Sequence, residues 1–308
     1  MPATITFPAD LLGAHVSVAG GVDNAVARAA VLPAGAFQIF TKNQNQWLGK
    51  ELTESMVASW FREMARHGFS SRQVCCHDSY LINLAATNRT TLRRSRVAFV
   101  DEIERAARLG IPWLVFHPGS HVGSGEATGV AAVARNLDHC IELAAAGRFA
   151  GTDQVTLCLE NTAGQGSNLG YRFAHLRDII AASSYPERLG VCLDTCHLFA
   201  AGYPLQTVSQ WRRTLARLAE RVGLERVRVM HLNDSKREFD SRVDRHARIG
   251  QGCIGEKPFG HIVRTRRLAN ALKVLEVPGG EEVYAADLTL LRRLRQGRRS
   301  AGSGRPHR

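Results

Sequence analysis

Short runs rich in Val, Ile, Leu, Ala and Cys recur along the chain at residues 11–18, 36–41, 73–76, 113–117, 155–160, 189–194, 226–232 and 272–277. Between most of them lie longer segments whose apolar positions return every three to four residues, at 24–32, 53–67, 92–109, 130–146, 173–182 and 206–222. The first pattern predicts strands buried on both faces and the second amphipathic helices. Alternation repeated eight times in 308 residues predicts an α/β protein with a (β/α)8 TIM barrel, a single domain over residues 11–295. A doubly wound open sheet would alternate in the same way. Closure is favoured because polar residues end nearly every strand, and only a barrel gathers eight strand ends around one mouth, whereas an open sheet gathers its chemistry at one switch point. Residues 1–10 then form an N-terminal extension, and 296–308, rich in Gly, Ser and Arg, a basic tail expected to be disordered.

The strand-ending residues carry the candidate chemistry. His77, His117, Glu160, Asp194, His197, His231 and Glu276 each follow an apolar stretch, and Asp244 and His246 lie together in one loop. Taken singly, a His at a strand end is more often a satisfied core or surface imidazole, and an Asp more often a helix cap. Taken together, one shared cause is simpler than seven separate ones, because an ionisable group closing a buried strand needs a partner. Nine donors exceed the three or four protein ligands of a single zinc but suit a multinuclear site in which a carboxylate bridges. Imidazole and carboxylate without thiolate point to Zn²⁺ first, with Mn²⁺ as a possible substitute.

Composition narrows the field. The seven cysteines are odd in number and sit mostly inside apolar runs, which reads as buried reduced thiols rather than a disulfide framework. With neither a signal-peptide pattern nor an apolar run long enough to span a bilayer, a soluble cytoplasmic protein with no membrane partner is expected. Of the formal net charge of +12, seven units come from arginines within residues 292–308, which contain no acid, so five remain for the body of the chain. Charge alone is therefore a moderate argument for a nucleic-acid partner. Gly164, Gly166 and Gly170 form a glycine-rich loop outside any strand-GxGxxG-helix context, which speaks against a nucleotide cofactor.

Six segments carry a more specific signal: His77-Asp78-Ser79-Tyr80-Leu81-Ile82-Asn83-Leu84, Phe116-His117-Pro118-Gly119-Ser120-His121, Glu160-Asn161-Thr162-Ala163-Gly164-Gln165-Gly166, Asp194-Thr195-Cys196-His197, His231-Leu232-Asn233-Asp234-Ser235-Lys236 and Val243-Asp244-Arg245-His246. Together they resemble the signatures of endonuclease IV, the zinc-dependent apurinic/apyrimidinic endonuclease family, from about residue 12 to about 294. The resemblance implies a barrel with three zinc ions at its mouth. It implies a monomeric DNA-repair hydrolase that cuts the phosphodiester 5′ of an abasic site in double-stranded DNA, leaving a 3′-hydroxyl and a 5′-deoxyribose phosphate, with 3′-repair phosphodiesterase activity besides. Carried over by position, it makes His77 and His117 ligands of a first zinc and Glu160 the bridge to a second, completed by Asp194, His231 and Glu276. His197, Asp244 and His246 would hold the third. Glu160 would also be the catalytic residue, orienting the attacking water or accepting its proton.

The same resemblance gives DNA contacts: Tyr80 and Leu81 as a wedge at the abasic gap, Asn45 at a groove-facing loop position, and Lys42, Lys236 and Arg242 at phosphates. Two positions depart from the family pattern. Asn45 stands where the family carries a groove-penetrating Arg, and Val277 follows Glu276 where Thr is usual, leaving open what hydrogen-bonds Glu276. A sugar isomerase or epimerase on the same barrel is the main rival, but it needs one or two metals and leaves His197, Asp244 and His246 without a task. A damage-binding protein without turnover is a third reading.

Overall fold

The computed structural model describes residues 10–297. In chain order its main elements are β1 (Leu12–His15), α1 (Val22–Val31), β2 (Ala36–Phe40), α2 (Glu54–Arg66), β3 (Val74–His77), α3 (Arg89–Arg108), β4 (Trp113–Phe116), α4 (Glu126–Ala145), β5 (Thr156–Glu160) and α5 (Phe173–Ala182). There follow β6 (Leu189–Asp194), α6 (Thr195–Ala200), α7 (Val208–Arg221), β7 (Val227–His231), β8 (Asp234–Ser235), β9 (His246–Ala247), α8 (Glu256–Val263), β10 (Leu272–Leu275) and α9 (Gly280–Arg295). Strands β1 to β7 and β10 close into a parallel barrel in the order β1-β10-β7-β6-β5-β4-β3-β2, while β8 and β9 form a separate antiparallel pair. The predicted TIM barrel is thus the observed fold. Most of the predicted extension and tail lies outside the described residues.

Two apolar layers explain why the strands read as continuous hydrophobic runs. Ala36, Cys75, Val115, Cys158, Cys192, Val229, Leu272 and Val274 form one buried cluster inside the barrel. The alternate positions, such as Phe37, Ile39, Cys76, Phe116, Leu157, Leu159 and Leu193, join the larger cluster that includes the helices. Successive side chains on a strand point to opposite faces, so the residue two beyond each lumen position is the next to face inward. That step takes Cys75 to His77, Val115 to His117, Cys158 to Glu160, Cys192 to Asp194, Val229 to His231 and Val274 to Glu276. It also takes Ala36 to Gln38, which pairs in register with His15 and Cys75. The cysteines are free and mostly buried, and burial pushes the thiols of Cys75, Cys158 and Cys192 well up, so they pack as small apolar groups.

The helices differ from expectation mainly at their starts. α3 begins three residues before the predicted segment because the Asn88 side chain accepts from Thr91 N at 3.0 Å and caps it. α6, α8 and α9 were not predicted. α8 and α9 follow Gly255 and Gly279 without a side-chain cap, so the usual start signal is missing. Among the described residues no helix is long and apolar enough to cross a membrane.

Candidate metal centre

All nine predicted ligands converge at the carboxyl-terminal mouth of the barrel. His77, Glu160, Asp194, His197 and His231 are buried, and His117, Asp244, His246 and Glu276 are partly so. Glu160 sits at the middle. Its Oε2 lies 3.1 Å from His77 Nε2 and 3.2 Å from His117 Nε2, and its Oε1 lies 3.0 Å from His231 Nδ1 and 3.3 Å from His197 Nδ1. One oxygen thus faces the first imidazole pair and the other faces the second.

Donor atoms close enough to share a cation fall into groups that include His77, His117 and Glu160; Glu160, Asp194, His231 and Glu276; and Asp194, His197 and His246, with Asp244 beside the last. Asp244 Oδ2 is 3.1 Å from His197 Nε2, and Oδ1 is 3.3 Å from His246 Nε2. Yet those two imidazole nitrogens are buried and have no aligned hydrogen-bond partner. Buried polar atoms are almost always satisfied, so this pair of orphaned nitrogens facing a carboxylate fits a cation. The nine predicted donors are imidazole and carboxylate, and although Cys192 and Cys196 also come within reach of two such groups, burial pushes both thiols up and away from the thiolate a metal would need.

The loops aim these donors through hydrogen bonds on their far sides. His77 Nδ1 donates to the Asp78 carbonyl (3.0 Å), His197 Nδ1 to the Asn161 carbonyl (2.8 Å) and His246 Nδ1 to the Glu276 carbonyl (3.2 Å). A carbonyl can only accept, so each imidazole keeps its other nitrogen for the centre. Asp194 accepts from His197 N at 2.7 Å as the cap of α6, which explains the Asp194-x-x-His197 spacing: cap and first turn deliver both side chains to one side. Asn233 ties two strand ends together, donating from Nδ2 to Asp194 Oδ2 (2.5 Å) and accepting at Oδ1 from Glu276 N (2.8 Å). Asp234 accepts from the backbone of Gly250, Gly252, Ile254 and Gly255, fixing the turn after β9. The glycine-rich loop is a turn. Gly164, Gly166 and Gly170 have φ of 78°, 60° and 94°, and a Cβ on Gly170 would stand 3.0 Å from Glu160 O.

Electrostatics bind the group into one cage. Burial opposes ionisation of Glu160, but His231, His117 and His197 hold its carboxyl well below the usual range. Glu276 is likewise depressed against burial, chiefly by His231, and Asp244 falls to about 2 against burial because of His197 and His246. Burial disfavours charge on His77, His197 and His231, yet the carboxylates beside them raise all three. Asp194, unlike Glu160, Glu276 and Asp244, is driven up, since burial there outweighs the imidazoles.

The expected DNA-facing residues divide. Tyr80 is 62% exposed beside a cleft of about 270 Å³ that His77, His117 and Asn168 also line. Leu81 is half-buried and Asn45 exposed. Ser79 Oγ donates to the Gln44 carbonyl at 2.7 Å, so the loops carrying Tyr80 and Asn45 are joined. Lys236 is exposed, and Arg242 is half-buried with its guanidinium 4.3 Å from the Tyr171 ring centroid. Lys42 is a correction. Its Nζ is buried against Asp101 Oδ2 (2.6 Å) and Glu102 Oε1 (3.2 Å), which takes it away from any phosphate. It helps hold the loop after β2, whose two ends Arg105 also clamps through the Thr41 carbonyl (2.6 Å) and the Lys50 carbonyl (2.9 Å). Two inward residues escaped the sequence reading, Gln38 and His15. They occupy the ring positions of β2 and β1, and the two-residue step from Ala36 was the signal that could have found Gln38.

Comparison with known proteins gives a consistent result. A family model described as a xylose isomerase-like TIM barrel matches residues 26–294. A probable endonuclease 4 of Citrifermentans bemidjiense is 44% identical over 292 residues, covering 94% of this chain and all of that protein. A probable endonuclease 4 of Chloroflexus aggregans is 47% identical over 284 residues, covering 92% and 96% of the two chains. The crystal structure of endonuclease IV from Thermus thermophilus superposes with a TM-score of 0.81 at 36% identity, covering 94% of this chain and 100% of that one. A D-tagatose 3-epimerase-like protein, at 17% identity and a TM-score of 0.66 over 92% of this chain and 96% of its own, shares the fold.

Proposed function

The chain belongs to the endonuclease IV family, and from that premise we propose that it hydrolyses the phosphodiester 5′ of an abasic site in double-stranded DNA, using three zinc ions. His77, His117 and Glu160 would hold the first, Glu160, Asp194, His231 and Glu276 the second, and His197, Asp244 and His246 the third. The observation that carries this reading is the position of Glu160, one oxygen turned to His77 and His117 and the other to His197 and His231. Bound there, the metals would neutralise the phosphodiester's charge, bring a water towards ionisation at neutral pH and stabilise the departing 3′-oxygen.

The chain's own residues set the conditions for that chemistry. Glu160, kept ionised in a buried cage, is suited to orienting the attacking water and receiving its proton. The carbonyls of Asp78, Asn161 and Glu276 hold three imidazoles in fixed tautomers, so no reorientation is needed during turnover. Tyr80, exposed at the rim with its ring edge-on to Phe40 at 5.4 Å, would enter the gap left by a missing base, with Leu81 beside it. The third donor group supports a nuclease over a sugar isomerase, because an isomerase has no use for His197, Asp244 and His246.

The test joins metal analysis to an incision assay. The purified protein should carry close to three zinc ions, cut an abasic duplex on the 5′ side to leave a 3′-hydroxyl, and lose that activity on prolonged chelation. Full activity with a single metal, or a β-elimination product in place of the 3′-hydroxyl, would overturn the reading.

A further inference from the structure

The imidazoles of His77, His197 and His246 are each held from behind by a backbone carbonyl, which no substitution can remove. His231 differs. Its Nε2 donates to a side chain, the Oε1 of Gln38, at 2.9 Å. The same oxygen accepts from the Cys75 thiol at 3.2 Å. On the other side of the amide, Gln38 Nε2 donates to Glu276 Oε1 at 2.6 Å and approaches His15 Nδ1 at 3.0 Å. A carboxylate only accepts, so the contact with Glu276 fixes which end of the amide is nitrogen. With Oε1 turned to His231, the proton must sit on His231 Nε2, leaving Nδ1 facing Glu160 Oε1 and Glu276 Oε2, both at 3.0 Å.

We propose that Gln38 is a positioning residue of the metal centre, its one amide setting the tautomer of His231 and the orientation of the Glu276 carboxylate. The inference rests on the zinc reading above and adds to it a residue outside the nine ligands. Gln38 is fully buried and stands at the inward ring position of β2, where six of the other strands supply a ligand. Neither a carboxylate nor a hydrophobic side chain could replace it, since the position needs a donor towards Glu276 and an acceptor towards His231 at once. It also supplies the hydrogen bond to Glu276 that Val277 cannot give. Partners of this kind typically change metal affinity by about 10- to 100-fold when removed.

Gln38→Met keeps nearly the same length and fills the space without donor or acceptor. Gln38→Asn keeps the polar groups but draws them back by one carbon, and it decides the matter if the first variant fails to fold. Zinc release to a competing chelator should be about 10- to 100-fold easier for one class of ion in either variant. The visible spectrum of the cobalt-substituted protein should shift, and the metal-free protein should still unfold cooperatively, its thermal midpoint lowered only by the loss of a few buried hydrogen bonds. Release curves and cobalt spectra that superpose on the wild type would overturn the assignment of Gln38 alone. A wild type that retains no metal would overturn the zinc reading and this inference together. A metal-free midpoint that collapses in both variants would make Gln38 a packing residue and also refute the proposal.

Discussion

Replacing Glu160 by Gln keeps the side chain's shape and deletes the charge that four imidazole nitrogens face at 3.0, 3.1, 3.2 and 3.3 Å. Two unit charges about 4 Å apart interact by roughly 4 kcal/mol at an effective dielectric near 20. At about 1.4 kcal/mol per factor of ten, one lost charge beside a cation lowers metal affinity by about a thousandfold. Turnover should fall by several orders of magnitude while DNA binding survives in part. A second effect should appear with no metal present. In the wild type the raised pKa values of His77 and His231 stabilise the fold fully below the unfolded value of about 6.5, and this is lost as pH rises through the folded values. The depressed pKa of Glu160 contributes above about 4.5 and is lost as pH falls through its folded value, so both contributions operate between about pH 4.5 and 6.5. In the variant His77 keeps Asp78 and His231 keeps Glu276, but each loses a second carboxylate, so its folded pKa falls and part of the low-pH stabilisation goes with it. Urea unfolding of the chelated proteins at about pH 5.5 and 7.5 should therefore show a larger penalty at the lower pH. Equal penalties, or a larger one at pH 7.5, would refute the cage as described.

Neutral imidazoles bind metal, and His77, His197 and His231 keep their protons above the usual range, so zinc affinity should continue to rise as pH increases beyond about 6.5. Calorimetry in buffers of different ionisation enthalpy would register the released protons, and an affinity flat from about pH 6.5 to 8 would contradict the raised values. At the rim, Asn45→Arg should tighten binding to an abasic duplex and steepen its salt dependence by up to about one counterion, with metal content unchanged. Tyr80→Ala should weaken binding, also without loss of metal. An unaltered affinity and salt slope for Asn45→Arg would place that loop away from the groove.

The barrel and the ring of His, Asp and Glu side chains at its mouth were legible because they obey one rule. A parallel strand buried on both faces is apolar until its last inward position, and there an isolated His, Asp or Glu stands out against Val, Leu and Cys. Gln38 obeyed the same rule but was missed, since an amide does not read as a ligand and its partners His231 and Glu276 are far off in sequence. Lys42 was misread for a related reason. From the sequence it is a basic residue in a loop, and nothing nearby announces that Asp101 and Glu102 on α3 will enclose it. α8 and α9 were hidden by glycines where a capping side chain would mark a start.

The alternation along each strand separates two kinds of demand on the same short segment. In β5, Leu157 and Leu159 belong to the shell against the helices, Cys158 fills the lumen and Glu160 faces the mouth. Mutational drift at the first three would be judged by whether the chain folds, and drift at the last by whether it reacts. Because the strand pairing uses backbone atoms, the frame fixes where the ring side chains stand without regard to what they are. Ancestry can therefore rewrite the reaction by point substitution at the mouth while the barrel beneath it is inherited unaltered.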